Sequence, residues 1–150
     1  MIQEETAYLL TKGERILVAV DGSEYSDIIL DQAISIGRIC NSDIFVISVI
    51  ALFPESATIA PEIEDKISKE INETLKKVKS RIEENNLKCE TIIGLDVQPH
   101  NPIVQEAKKR NIDLIVIGTR GMTRLKRVLM GSVAQKVIGY APCPVMVVPV

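Results

Sequence analysis

Five short apolar runs punctuate the chain, separated by stretches in which apolar residues return at helical spacing. The first run, Arg15-Ile-Leu-Val-Ala-Val20, is β-branched and lacks polar alternation, and Asp21-Gly22-Ser23 stops it. Such a run predicts a strand buried on both faces. Ile44–Ile50, Cys89–Ile93, Asp113–Gly118 and Val145–Val150 read as strands too, with Gly94 ending the third and Gly118 at the exit of the fourth. Between the first two strands, Tyr25, Ile29, Ala33, Ile36 and Cys40 recur at helical spacing, with Ser23 as the expected cap. Gly37 inside that pattern costs about 1 kcal/mol relative to Ala but permits close packing on a sheet. Asn41-Ser42-Asp43 ends the helix.

Residues 51–61 read as a loop with Pro54 and Pro61. The longest helix is expected from about Glu62 to Glu84, where Ile63, Ile67, Ile71, Leu75, Val78 and Ile82 form one apolar stripe on a charged cylinder. That stripe suits a helix laid on a sheet. Asn85-Asn86 marks its stop. Asn101 followed by Pro102 reads as a cap and a first-turn proline, opening a helix that ends near Asn111. A last helix runs from Ser132 to Tyr140, and Pro142-Cys-Pro144 breaks it. The order βαβαβαβαβ specifies an α/β fold: a five-stranded parallel sheet with right-handed crossovers and helices on both faces. Ligands of such sheets sit beyond the carboxyl ends of the strands, where the strand order reverses. Residues 1–14 form a polar leader containing Tyr8, Leu9 and Leu10, and residues 15–150 form one domain with no repeat or linker.

Composition narrows the function classes. The 150 residues are 46% apolar and 25% charged, ordinary values for a folded domain. Net charge is -2, so no general attraction to nucleic acid or an anionic membrane is expected. Aromatics make up 3% with no Trp, which argues against holding single-stranded nucleic acid by stacking. No apolar run approaches the length of a membrane span, and the acidic Met1-Ile-Gln-Glu-Glu start lacks the features of a secretory signal. Cys40, Cys89 and Cys143 are widely spaced and form no C-x-x-C, so reduced thiols and a cytoplasmic location are expected.

Two strand exits carry candidate chemistry. Asp21 can accept hydrogen bonds from an amino group of a ligand, or organise an Asp-Gly turn and cap the helix that follows. The second exit begins at Gly118-Thr-Arg-Gly121 and ends at Gly131-Ser132, the start of a helix. Its glycines let the backbone approach a ligand closely, and the free N–H groups of a first helical turn form an anion site. Residues 118–136 include Arg120, Arg124, Lys126, Arg127 and Lys136 with no Asp or Glu, a charge of +5 that leaves -7 for the rest. A positive field at a strand exit suits phosphate, although a charge run is more often a solvated loop. Neither the Walker A loop nor G-x-G-x-x-G is present: Thr123 stands five residues after Gly118, and Gly121 is followed by no glycine until Gly131.

The pattern Gly118-x2-Gly121-x9-Gly131-Ser132 resembles the nucleotide-binding motif of the universal stress protein family. Ile16–Ser23, Asp113–Gly121 and the ending Gly131–Val137 with Ala141–Val148 are similar to that family as well, so the resemblance runs from Arg15 to Val150. It implies strand order 3-2-1-4-5, an adenine nucleotide alpha hydrolase-like, Rossmann-like sheet, and ATP at its carboxyl edge. It places Ala19, Val20 and Asp21 around adenine, with Val49 packing on the base. It assigns Gly118 and Gly121 to the loop around ribose and phosphates, Gly131, Ser132 and Val133 to the phosphate cradle, and Arg120 to a weaker charge-assisted contact. Mg2+ would be held by the phosphates. The segment Gly94–Pro102 is longer than the family's usual Gly-x-Pro turn, which puts one wall of the site in question.

Dedicated catalysis finds little support. His100 stands in an expected loop with no partner acid nearby, which suits a surface or packing role. Ser132 lies in no G-x-S-x-G elbow. Fast hydrolysis needs a group that places water and an acid that holds metal. The favoured reading is therefore an ATP-binding regulatory module of the stress response, with slow or no turnover. A slow ATPase and a dimeric interaction module stay open. A nucleotidyl transferase would want His-x-Gly-His or Ser-Gly-Gly-x-Asp-Ser after the first strand, and neither occurs. The last strand is expected at a sheet edge, where Pro149 is tolerated and pairing with a second copy would cover it. The resemblance also implies homodimers, and a protein partner of unknown identity is expected.

Overall fold

The computed structural model describes residues 13–52, 61–120 and 130–150. The leader residues 1–12, Pro54 and Gly121 lie outside the described residues. The elements are β1 (Arg15–Ala19), α1 (Ser26–Cys40), β2 (Asp43–Ala51), α2 (Pro61–Glu84), β3 (Cys89–Asp96), α3 (His100–Lys109), β4 (Leu114–Gly118), α4 (Ser132–Tyr140) and β5 (Val145–Val148). All pairings are parallel and the strand order is β3-β2-β1-β4-β5.

β1 is the central strand, and the unbroken apolar run explains why. Ile16, Leu17 and Val18 are fully buried. Ile16 and Val18 face one cluster with Ile29, Leu30 and Ala33 of α1 and Leu75 and Ile82 of α2. Leu17 faces the other, with Ile103 and Ala107 of α3 and Ala134 and Val137 of α4. Each face of the sheet thus carries two helices. Gly37 lets α1 press against the sheet: an added Cβ would lie 3.0 Å from Ile44 Cδ1 and 3.1 Å from Leu87 Cδ1. Asn41, Asn86 and Asn111 hold left-handed backbone (φ 52, 60 and 50) just past α1, α2 and α3. Asn tolerates that region better than other non-glycine residues, so each helix stops where its asparagine stands.

Three local expectations are corrected. Gly94 does not end β3. The register with β2 continues through Val49↔Gly94 and Ala51↔Asp96, and Leu52 N–H donates to Asp96 O at 3.0 Å. The glycine serves an approach across the sheet, since a Cβ there would lie 2.6 Å from Pro102 Cβ. Ser23 does not cap α1. Tyr25 holds the cap position, and Ser23 Oγ is buried with no partner among the described residues. Asn101 is not the cap of α3, because the helix begins at His100 after Pro99. Pro102 is the third residue of α3, where no intrahelical acceptor awaits its missing N–H.

Candidate functional site

The chain moves one way across the sheet from β1 to β2 and β3, and the other way to β4 and β5. β1 and β4 are paired neighbours, so their exits adjoin at the reversal of strand order. A cleft of about 300 Å³ opens there. One wall is apolar: Ile47, Val49 and Ala51 of β2 face Pro99 and Ile103 at the start of α3. Deeper in lie Ile29, Ile117 and Gly118, and the rim carries Asp21, Thr119, Arg120 and Ser132.

Of the ten residues expected at a nucleotide site, nine line this one cleft: Ala19, Val20, Asp21, Val49, Gly118, Arg120, Gly131, Ser132 and Val133. Gly121 lies outside the described residues. Reading the sequence missed Ile29, Ile47, Ile103 and Ala134, whose apolar spacing signals core and cleft alike. It missed Thr119 too, although the residue sits at a flagged strand exit. Pro99, in the segment after β3, lines the cleft.

Both glycines at the β4 and α4 ends sit in tight quarters. A Cβ on Gly118 would lie 2.6 Å from Ile29 Cδ1 and 3.2 Å from Arg120 O. One on Gly131 would lie 3.3 Å from Thr119 O. Gly131 is the cap residue of α4, with extended backbone (φ -60, ψ 152) and no side-chain cap. Its N–H donates to Thr119 O at 2.7 Å. That N–H is therefore engaged within the chain. The donors left to a ligand are the first-turn N–H groups of Ser132, Val133 and Ala134, with the exposed Ser132 hydroxyl beside them.

Asp21 lines the cleft and also organises the turn after β1. Its Oδ1 accepts from Ser23 N–H at 2.9 Å and from Ser26 Oγ at 3.5 Å. Gly22 completes the turn with φ 77. Oδ2 accepts no hydrogen bond among the described residues. Arg120 reaches away from the start of α4. Its Nε donates to the main-chain oxygen of Val150 at 2.7 Å, Nη2 donates to the same oxygen, and the guanidinium lies 5.5 Å from the centre of the Tyr25 ring.

His100 is neither in a loop nor in the cleft lining. It opens α3, is buried, and stacks on Tyr140 at 5.6 Å. Burial holds its pKa below the ordinary value; Lys136 adds to that and Asp96 opposes it. Burial also pushes the Cys89 thiol up to about 11 and raises Cys143, so neither is a ready thiolate. Asp21 is the single carboxylate among the described lining residues, and no three His, Cys, Asp or Glu of the described residues gather as a metal site. Nor is any described helix long and apolar enough to cross a membrane.

Comparison with known proteins agrees with this architecture. The family model of the universal stress protein family matches residues 13–149. Universal stress protein MJ0531 of Methanocaldococcus jannaschii is 39% identical over 139 residues, which cover 90% of this chain and 81% of the relative. The solved structure of MJ0577, from the same organism, superposes with a TM-score of 0.81 at 28% identity, covering 91% of this chain and 95% of that one. A universal stress protein from Archaeoglobus fulgidus, solved in complex with dAMP, has a TM-score of 0.68 at 27% identity and covers 89% and 95%. With a family match spanning residues 13–149, the chain belongs to the universal stress protein family.

Proposed function

We propose that this chain is an ATP-binding regulatory module of the stress response, with slow or no hydrolysis. The observation that carries the reading is the cleft itself: an apolar slot beside Asp21 that leads to an uncapped helix start. Apolar walls suit a flat base, and Asp21 Oδ2 can accept from an exocyclic amino group. The N–H groups of Ser132, Val133 and Ala134, with the dipole of α4, suit a phosphate. The dAMP complex of the Archaeoglobus fulgidus relative supports an adenine nucleotide as the ligand.

Mg2+ fits as an ion held by the phosphates and water, because Asp21 is the one carboxylate of the described lining. A ligand bound there would act by shifting conformational populations. We also propose a homodimer through β5. It is a sheet edge carrying the partly buried Val145 and Val147, followed by Pro149. A cytoplasmic location fits the three free thiols.

Calorimetric titration of nucleotide-stripped protein with Mg-ATP tests the reading. Wild type is expected to bind. Gly131→Val places a branched side chain against Thr119 O at the mouth of the anion site. It is expected to weaken ATP at least a hundredfold, about 2.7 kcal/mol, while adenosine loses less. Absence of binding in wild type refutes the proposal, and slow steady release of phosphate would favour a weak ATPase instead.

A further inference from the structure

Thr119 and Arg120 tie the cleft to the far end of β5. Thr119 O accepts from Gly131 N–H at 2.7 Å, at the start of α4. Thr119 N–H donates to Val148 O at 3.0 Å, at the end of β5. The Thr119 hydroxyl oxygen accepts from Val150 N–H at 3.1 Å and lies 3.5 Å from Val150 O. Arg120 completes the tie with Nε and Nη2 on Val150 O. Two adjacent residues therefore hold both the helix that faces the ligand and the strand that forms the sheet edge.

The Arg120 contact is the weak point of this arrangement. A guanidinium matches a phosphate in charge and fork geometry, whereas at Val150 both Nε and Nη2 converge on a single oxygen. The point that a Cβ on Gly131 would occupy is 3.9 Å from Arg120 Cα, so the side chain is rooted beside the start of α4. Its present course runs over Tyr25 to Val150, a residue outside the cleft lining.

We propose that Arg120 is a coupling residue that exchanges the main-chain oxygen of Val150 for a phosphate bound at the start of α4, so that filling the cleft releases the end of the β5 edge. This rests on the ATP reading above and adds its regulation. Released, Val150 keeps its hydrogen bond to Thr119 and its packing against the core. By linkage the coupling is reciprocal: whatever fixes Val150 in place, a neighbouring copy included, weakens phosphate binding by the same factor.

A double-mutant cycle on the full chain tests it, with ATP and adenosine as probes. Arg120→Gln is expected to weaken ATP about ten- to a hundredfold and to leave adenosine within twofold. Removal of Val150 deletes the competing acceptor and is expected to tighten ATP about threefold or more, an effect that disappears in the Arg120→Gln background. Hydrogen exchange supplies a readout that a purely structural anchor would not move: the Val150 amide is expected to exchange faster with ATP bound and at an unchanged rate with adenosine. If wild type binds ATP but removal of Val150 leaves affinity unchanged or lowers it, Arg120 is only an anchor and the coupling is refuted alone. If wild type binds neither probe, the ATP reading falls and the coupling with it.

Discussion

α3 and α4 lie on the same face of the sheet, and both begin beyond a strand exit, yet the groups around their N-termini differ. At α3 the chain fills its own helix start. Asp96 sets a carboxylate there, accepting from Gln98 N–H at 2.8 Å and lying 3.5 Å from Asn101 Nδ2. Pro102 removes one of the free donors, and the buried His100 closes the first turn. At α4 the chain leaves the start unfilled. Neither helix has a side-chain cap or an acid in its first turn, but here the cap is a glycine and no proline removes a donor. Helix dipoles are common to all helices, so a dipole alone distinguishes nothing. A helix start can receive an anion where the chain has withheld its own acceptors.

The comparison can be broken at α3 with the largest effect. Gly94→Ala drives a Cβ into Pro102, whose own Cβ would be 2.6 Å away, so the first turn of α3 must shift. Overpacking of this kind is expected to cost about 1–3 kcal/mol, read as a fall in the urea midpoint. ATP affinity should fall only as far as Pro99 moves in the cleft wall, well short of the loss at Gly131→Val.

Filling α4 as α3 is filled sharpens the contrast. Ser132→Asp puts a carboxylate at the first turn, where it is expected to stabilise the fold by about 0.3–1 kcal/mol. The same charge opposes phosphate, so ATP should weaken about tenfold while adenosine stays unchanged. Stability and affinity would move in opposite directions, measured by thermal melting and calorimetry on one variant. A parallel loss of both would mean that Ser132 matters for packing.

The smallest effect concerns His100. Its pKa is lowered in the folded state by burial and by Lys136, against the pull of Asp96. The unfolded chain then binds the proton more tightly, so stability is complete above about pH 6.5 and declines as pH falls from there through the lower folded value. His100→Gln should flatten that decline between pH 7 and pH 5 in chemical denaturation, with little change at pH 8. A steeper decline in the variant would contradict the assignment.

Much of this contrast is visible before folding. Asp96, Pro102 and the glycine at 131 stand in the sequence, and so do the three asparagines that stop helices. Gly94 shows where reading along the chain fails. A lone glycine after an apolar run looks like a stop, and only the packing of Pro102 onto β3 explains it. Ser23 and Asn101 look like caps because their types favour the role, but a cap also needs the right backbone angles and a reachable N–H. The cleft residues of β1, β4 and α4 were legible because strand exits and glycine spacing are local features. Ile47, Ile103 and Ala134 were not, since an apolar side chain reads the same whether it meets the core or a ligand.

By itself the sequence determined the five strands, the four helices, the parallel order and the cluster of small and polar residues at two strand exits. Those depend on periodicity, chain stiffness and the right-handed crossover, which act over a few residues or follow from connectivity. Tertiary structure decided which backbone groups are already used. Gly131 gives its N–H to Thr119 O, Asp21 gives one oxygen to its own turn, and Arg120 gives two of its donors to Val150, 30 residues away. Hydrogen-bond capacity is finite and is allotted by proximity in space, so what a residue has left for a ligand appears only once the chain has folded around it.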